Sequence, residues 1–380
     1  MKPNYILMQS FEFLDLILFL GISQGVFLAI TIQMLKHKNK SANRMLSVIL
    51  LVAVVMLLGR MIYFRFLTPT MFRWTILIDG VIFIFGPLCY TYLRRLAFSN
   101  NDHYKLSWYH YLPAMFHICF FIYSMSFSIS VYSEKVSAGV FTIPFFCIEG
   151  GGILSNFYYW YLSIQLIRTY TREEKNRVSF KQNLVSFLTF FQISVGVFLM
   201  TWLISFIAGN FFKYSFYPIG YDTLWGGISI FIFVIGYYSL KEPELFRVPL
   251  YADKPKPTQQ RLPEQEIVAI EKGLRHIIEE EKIFLKMNLT LRDLSERLDT
   301  STHNISWYLN QVSKSSFYDY INHYRIKEFL KKIENNEHIH HTILALSMDV
   351  GFNSKSTFNK AFKLEMNDTP SNYIKRLKVA

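Results

Sequence analysis

Between residues 11 and 240 apolar side chains run on for long stretches, separated by short polar clusters and without the alternation of a strand. Seven stretches stand out, at 11–34, 45–66, 72–93, 108–129, 139–167, 184–208 and 219–240. A bilayer core asks for about 20 apolar residues of helix per crossing. Lipid offers the backbone no hydrogen-bond partner, so unbroken runs of this kind predict helices. The first run is too long for the apolar core of a secretory signal. It contains Asp15 and is preceded only by Lys2 as a basic residue, so it is expected to be retained.

After residue 240 the pattern changes. Residues 241–261 hold Pro243, Pro249, Pro255 and Pro257 with no apolar period, which predicts an extended linker. From 262 to 380 apolar residues recur at helical spacing and no strand pattern occurs. Ile267, Ile270, Leu274, Ile277 and Ile278 share one face of a helix over 264–284. Thr290 and Asp293 form a capping box that opens a short helix with Leu291, Leu294 and Leu298 inward. A break at 299–301 follows, and Ser301 is placed to cap a second helix over 302–312. A long helix over 317–333 leads to the same arrangement again. A short helix at 342–350 is stopped by Gly351, which can turn left-handed, and a second helix covers 355–365 with Phe358 and Phe362 one turn apart. A short helix, a tight turn and a second helix make a helix-turn-helix unit, and the chain predicts two.

The expected fold is therefore all-α. A seven-transmembrane-helix bundle occupies 1–240, the Pro-rich linker 241–261, and a soluble helical domain 262–380. Composition agrees: 51% of residues are hydrophobic and 18% charged, where soluble proteins carry roughly 25% charged residues. Charge adds direction. Lys36, Lys38, Lys40 and Arg44 follow the first run, Arg94, Arg95 and Lys105 the third, and Arg168, Arg172, Lys175, Arg177 and Lys181 the fifth. The opposite loops hold Arg65 with Arg73, then Lys135, then Lys213. Basic loops stay in the cytoplasm, so a multi-pass protein of the inner membrane is expected, with its N-terminus outside and its C-terminal domain cytoplasmic. The net charge of +12 favours anionic partners, lipid headgroups or nucleic acid. Cys89, Cys119 and Cys147 lie far apart in apolar runs, which excludes a disulfide framework or zinc ribbon.

The second helix of each unit carries short polar and basic side chains suited to base edges and phosphates in a major groove. They are His303, Asn304, Ser306, Trp307 and Asn310 in the first. In the second they are Ser354, Lys355, Ser356, Thr357, Asn359, Lys360 and Lys363. Basic residues concentrate late in the domain, where phosphate contacts are expected. The run VGFNSKSTFNKAFK at 350–363, with DTPSNY at 368–373, resembles the signature of the AraC family of transcriptional regulators. The segment YINHYRI at 320–326 resembles that family's central linker helix. The resemblance covers about 289–377 and implies two helix-turn-helix units entering successive major-groove segments of double-stranded DNA. By position it places His303, Ser306 and Trp307 against bases in the first unit, and Lys355, Ser356, Thr357 and Lys360 in the second. The chain departs from the family with Asp299 in the first turn and Asn367 before Thr-Pro, where glycine is usual; Asn tolerates the left-handed conformation.

Ionisable residues inside apolar helices are costly and mark functional candidates. Asp15, Arg60, Asp79 and Glu149 are the candidates for a ligand pocket in the membrane domain, with an Arg60–carboxylate pair at its heart. No metal and no cofactor is expected: His338, His340 and His341 lack cysteine or acidic partners of ligand geometry. No P-loop, HExxH or GxGxxG occurs, so no enzymatic activity is expected. The reading is a membrane-bound one-component transcriptional regulator of bacterial type. Its membrane helices would sense a small-molecule or membrane signal, and a homodimer would raise the effective concentration of DNA-binding domains on paired sites. The competing reading is an intramembrane transporter or enzyme with a regulatory helical tail. The signal, the target DNA, activation against repression, the oligomeric state and proteolytic release of the C-terminal domain are open at the level of sequence.

Overall fold

A computed structural model describes residues 13–34, 40–65, 68–98, 104–180, 183–212, 221–241 and 262–377. Residues 242–261 of the Pro-rich linker read at 241–261, and the basic residues Lys36, Lys38, Lys181 and Lys213, lie outside the described residues. The described part is all-α: its only pairing of extended backbone is an isolated antiparallel bridge between Val178 and Thr290. It divides into two units, one within 1–167 and 186–254, the other within 168–185 and 255–380.

The first unit consists of α1 (Phe13–Met34), α2 (Lys40–Arg65), α3 (Pro69–Asp79), α4 (Ile82–Ala97), α5 (Leu112–Met125), α6 (Ile129–Ser137), most of α7 (Thr142–Lys175), α8 (Asn183–Phe211) and α9 (Tyr221–Lys241). Among the described residues four spans are long and apolar enough to cross a membrane: Phe13–Met34, Lys40–Ile62, Arg73–Ala97 and Leu184–Phe211. A fifth is added if Trp108–Met125 and Ile129–Ser137 count as one. The stretch read at 108–129 is helical to Met125, and the chain then bends by 113° into Ile129–Ser137. Arg73 holds the bend. Its guanidinium donates to the carbonyls of Phe127 (2.7 Å) and Ser124 (3.4 Å) and lies 5.3 Å from the centre of the Tyr132 ring. α7 falls below the same apolar measure, its middle occupied by Glu149, three glycines and Asn156, and the apolar part of α9, Asp222–Tyr238, is short.

Small residues set the packing in this unit. A Cβ added at Gly21 would lie 2.5 Å from Ser229 Oγ, and one at Gly25 2.6 Å from Val54, so α1 approaches α2 and α9 closely. Polar side chains stitch other helices. Asn156 Nδ2 donates to the carbonyls of Ile82 and Gly152, both at 2.8 Å. Trp160 Nε1 and Gln192 Nε2 each donate to the other residue's carbonyl, at 2.9 and 2.8 Å. Apolar side chains such as Phe13, Phe27, Phe116 and Leu154 point outward, as lipid-facing positions do.

The second unit holds α10 (Glu264–Glu279), α11 (Leu291–Arg297), α12 (Thr302–Gln311), α13 (Phe317–Glu334), α14 (Ile343–Asp349), α15 (Lys355–Met366) and α16 (Pro370–Leu377). The capping box at Thr290 is formed, and Ser301, Ser316, Thr342 and Ser354 cap α12 to α15 with side-chain oxygens. Two small cores share α13. Ile270, Leu274, Leu294, Ile305 and Leu309 surround its start at Phe317 and Ile321. Leu346, Val350, Phe352, Phe358 and Phe362 surround its end at Phe329 and Ile333. Each core buries one short helix against a longer partner, which sets α12 and α15 as the exposed second helices.

Candidate nucleic-acid interface

α15 begins where Ser354 accepts the Thr357 amide proton and is aimed by the turn before it. In that turn Gly351 N donates to Met348 O (2.9 Å) and Phe352 N to Ser347 O (3.1 Å). These two bonds close α14 with a left-handed residue, Gly351, at φ +97°. The following Phe352, fully buried, pins the chain before it turns into α15. Ser354→Ala is expected to cost about 1 kcal/mol of local stability. It should appear as faster amide exchange in the first turn of α15, with α13 unaffected; unchanged exchange there would show that the cap is dispensable.

Along α15 the inward arc is Thr357, Phe358, Ala361 and Phe362, and the outward stripe is Lys355, Ser356, Asn359, Lys360 and Lys363. Spacings of three and four residues put each set on one face. Among the described residues none of the three lysines pairs with a carboxylate. Thr357 is the correction. It is 2% exposed, its hydroxyl takes the Ser354 Oγ proton at 2.9 Å and it shares a hydrogen bond with Tyr318, so it fastens the helix from inside and does not face outward. Ser354 likewise is occupied as a cap.

α12 is different in chemistry. It carries no charged residue other than His303, and His303, Asn304, Ser306, Trp307 and Asn310 are all half-buried. Asn304 Nδ2 donates to Glu266 Oε2 and Thr300 Oγ1, each at 3.3 Å, while Asn310 Nδ2 donates to Ser306 O at 2.8 Å. Its entry turn uses Asp299 at φ +48°, and Asn367 takes φ +50° after α15. Both non-glycine departures therefore adopt the left-handed conformation that the turn requires. The Asp293 carboxyl feels burial, which raises its pKa. Hydrogen bonds from Lys286 and Thr290 more than offset this and hold it below the usual carboxylate range, so the box stays ionised at neutral pH.

The hub behind both helices was not visible from the sequence. Arg325 on α13 is fully buried and donates to the carbonyls of Phe284 (2.7 Å), Lys286 (2.7 Å), Met287 (3.4 Å) and Ser179 (3.1 Å), and to Asn322 Oδ1 (3.2 Å). Burial pushes the guanidinium down to about 10, which leaves it protonated at neutral pH. Its position inside the linker-helix motif was the one sequence clue; its carbonyl partners come from segments that no motif marks.

The ionisable candidates of the first unit have the following partners. Arg60 pairs with Asp222 of α9. Glu149 accepts from Trp202 Nε1 at 3.0 Å and lies close enough to Asp79 for their charges to interact. Asp15 sits in the first turn of α1. A cavity between α4, α7 and α8, bounded by Cys89, Asn156, Tyr159 and Gln192, offers about 10 Å³, room for a single water. None of the four lines it.

Residues 294–376 match a family model described as a helix-turn-helix domain, of the AraC type. No curated protein and no solved structure matches the chain. The C-terminal part is a DNA-binding domain of the AraC type, and double-stranded DNA is the partner this match supports.

Proposed function

We propose that this chain is a membrane-bound one-component transcriptional regulator, with two helix-turn-helix units that read DNA in the cytoplasm under control of a signal sensed by its membrane helices. The observation that carries the reading is the exposed stripe of α15, three lysines that pair with no carboxylate among the described residues, interleaved with Ser356 and Asn359 inside the matched region. Lysines supply phosphate attraction and the short polar groups supply base-edge hydrogen bonds. The second unit dominates phosphate binding. The uncharged α12 contributes shape and polar contacts through Ser306 and Trp307. Seven membrane crossings, with α7 and α9 among them, place the loop after α7 and the C-terminal domain on the same cytoplasmic side, as the basic loops require. Pairing of two chains would raise occupancy of paired half-sites.

The experiment is binding of the full chain in lipid nanodiscs to genomic DNA fragments across a salt series. Sequence-selective retention is expected. Lys360→Ala should weaken binding to all fragments alike and lower the steepness of the salt dependence by about one counterion. Weak attraction erased by salt, with no fragment preferred, would defeat the reading.

A further inference from the structure

The docking of residues 177–179 on the DNA-binding unit is built from backbone and side chain together. Leu291 N donates to Arg177 O at 2.8 Å. Ser179 gives both its N–H (3.2 Å) and its hydroxyl (2.9 Å) to Leu289 O, 110 residues along the chain. Arg325 Nη1 donates to Ser179 O at 3.1 Å. Val178 bridges Thr290, and Val178 and Ser179 are 6% and 0% exposed. The receiving residues flank Thr290, the cap of α11. The first N–H groups of a helix have no acceptor within it, so Leu291 needs one from elsewhere, and Arg177 supplies it.

We infer that residues 177–179 are a docking strand through which the end of α7 orders the first helix pair. The inference rests on the regulator reading above. It changes what that reading requires: the DNA-binding domain does not hang on the Pro-rich linker alone. α7 is one uninterrupted helix from Thr142 to Lys175, so a shift of its apolar part either carries the docking strand along or breaks it. A two-state element of this kind is what a signal must bias.

The test is amide exchange of the full chain in lipid nanodiscs, read beside DNA binding. In the wild-type chain Leu291 and Ser179 amides should exchange at least about tenfold more slowly than in a free chain. Ser179→Pro removes one N–H and one hydroxyl donor. It should speed exchange at Leu291 by about tenfold, leave Phe358 and Phe362 protected, and lower DNA affinity by about fivefold. Ser179→Ala, which keeps the N–H, should shift both readouts in the same direction and less. A Leu291 amide that exchanges at the free-chain rate in the wild-type protein would overturn the inference. So would a Leu291 that opens in Ser179→Pro while DNA affinity stays as it was. If the proline variant loses protection throughout α15, the wild-type exchange and the alanine variant decide. Failure of the wild-type chain to select DNA would sink the regulator reading instead, and Leu291 protection would still report whether the strand is docked.

Discussion

Arg325→Met is expected to lower the stability of the DNA-binding unit by about 3 kcal/mol or more, because several buried carbonyls lose their donor at once. Methionine fills a similar volume, so the loss isolates hydrogen bonding from packing. Arg325 is 0% exposed and joins the 284–287 segment, Asn322 and Ser179 while lying 5.6 Å from the centre of the Phe352 ring. Among the described residues no carboxylate pairs with it. A buried cation held only by carbonyls is tolerated because its planar fork satisfies several acceptors in fixed directions. Lysine cannot reproduce that fork, and Arg325→Lys should recover little. Amide exchange over α13 and α15 measures the effect; a change under about 1 kcal/mol, within the range of an ordinary surface substitution, would show that Arg325 is a packing residue.

Gly351→Ala should be as damaging for a different reason. The residue sits at φ +97°, and a Cβ there would lie 2.6 Å from Phe284 O and 2.9 Å from both Leu285 O and Arg325 Nε. Backbone strain of this kind costs on the order of 1–3 kcal/mol, and the nearest obstacle is a backbone carbonyl that cannot swing away. The turn into α15 must move, so loss of DNA binding is expected together with loss of exchange protection at Phe352 and Phe358. Retained DNA affinity in Gly351→Ala would mean that the turn has room the geometry does not show. Because both substitutions disturb the 284–287 segment, their combined cost should fall short of the sum, by about 0.5–3 kcal/mol. A strictly additive pair would separate Gly351 from the Arg325 hub.

Within the C-terminal domain much of the architecture was legible beforehand for local reasons. A cap, a left-handed turn or an amphipathic face is decided by residues three to five positions apart. Ser301, Thr290 with Asp293, Gly351 and Asn367 could therefore be assigned from their neighbours, and each takes the expected conformation. Thr357 was misassigned although the signal was local. Its neighbours Phe358, Ala361 and Phe362 define the inward arc, and Thr357 lies four residues before Ala361 on that same arc. A polar side chain was read as an outward one, and the helical period overrules polarity here because Ser354 and Tyr318 satisfy the hydroxyl.

By itself, the sequence determined the all-helical class, the apolar part followed by a domain of ordinary composition, the start and stop of most C-terminal helices, and the lysine stripe of α15. All of these follow from composition and from spacing within a few turns. Tertiary structure alone decided the 113° bend held by Arg73, the pairing of Arg60 with Asp222, the burial of Arg325 among carbonyls, and the docking of Ser179 on Leu289. The last three of these join partners 38 to 162 residues apart, largely through backbone carbonyls that every residue possesses. A carbonyl carries no sequence signature, so which one a buried guanidinium or an orphan helix amide finds is settled only when the chain is packed.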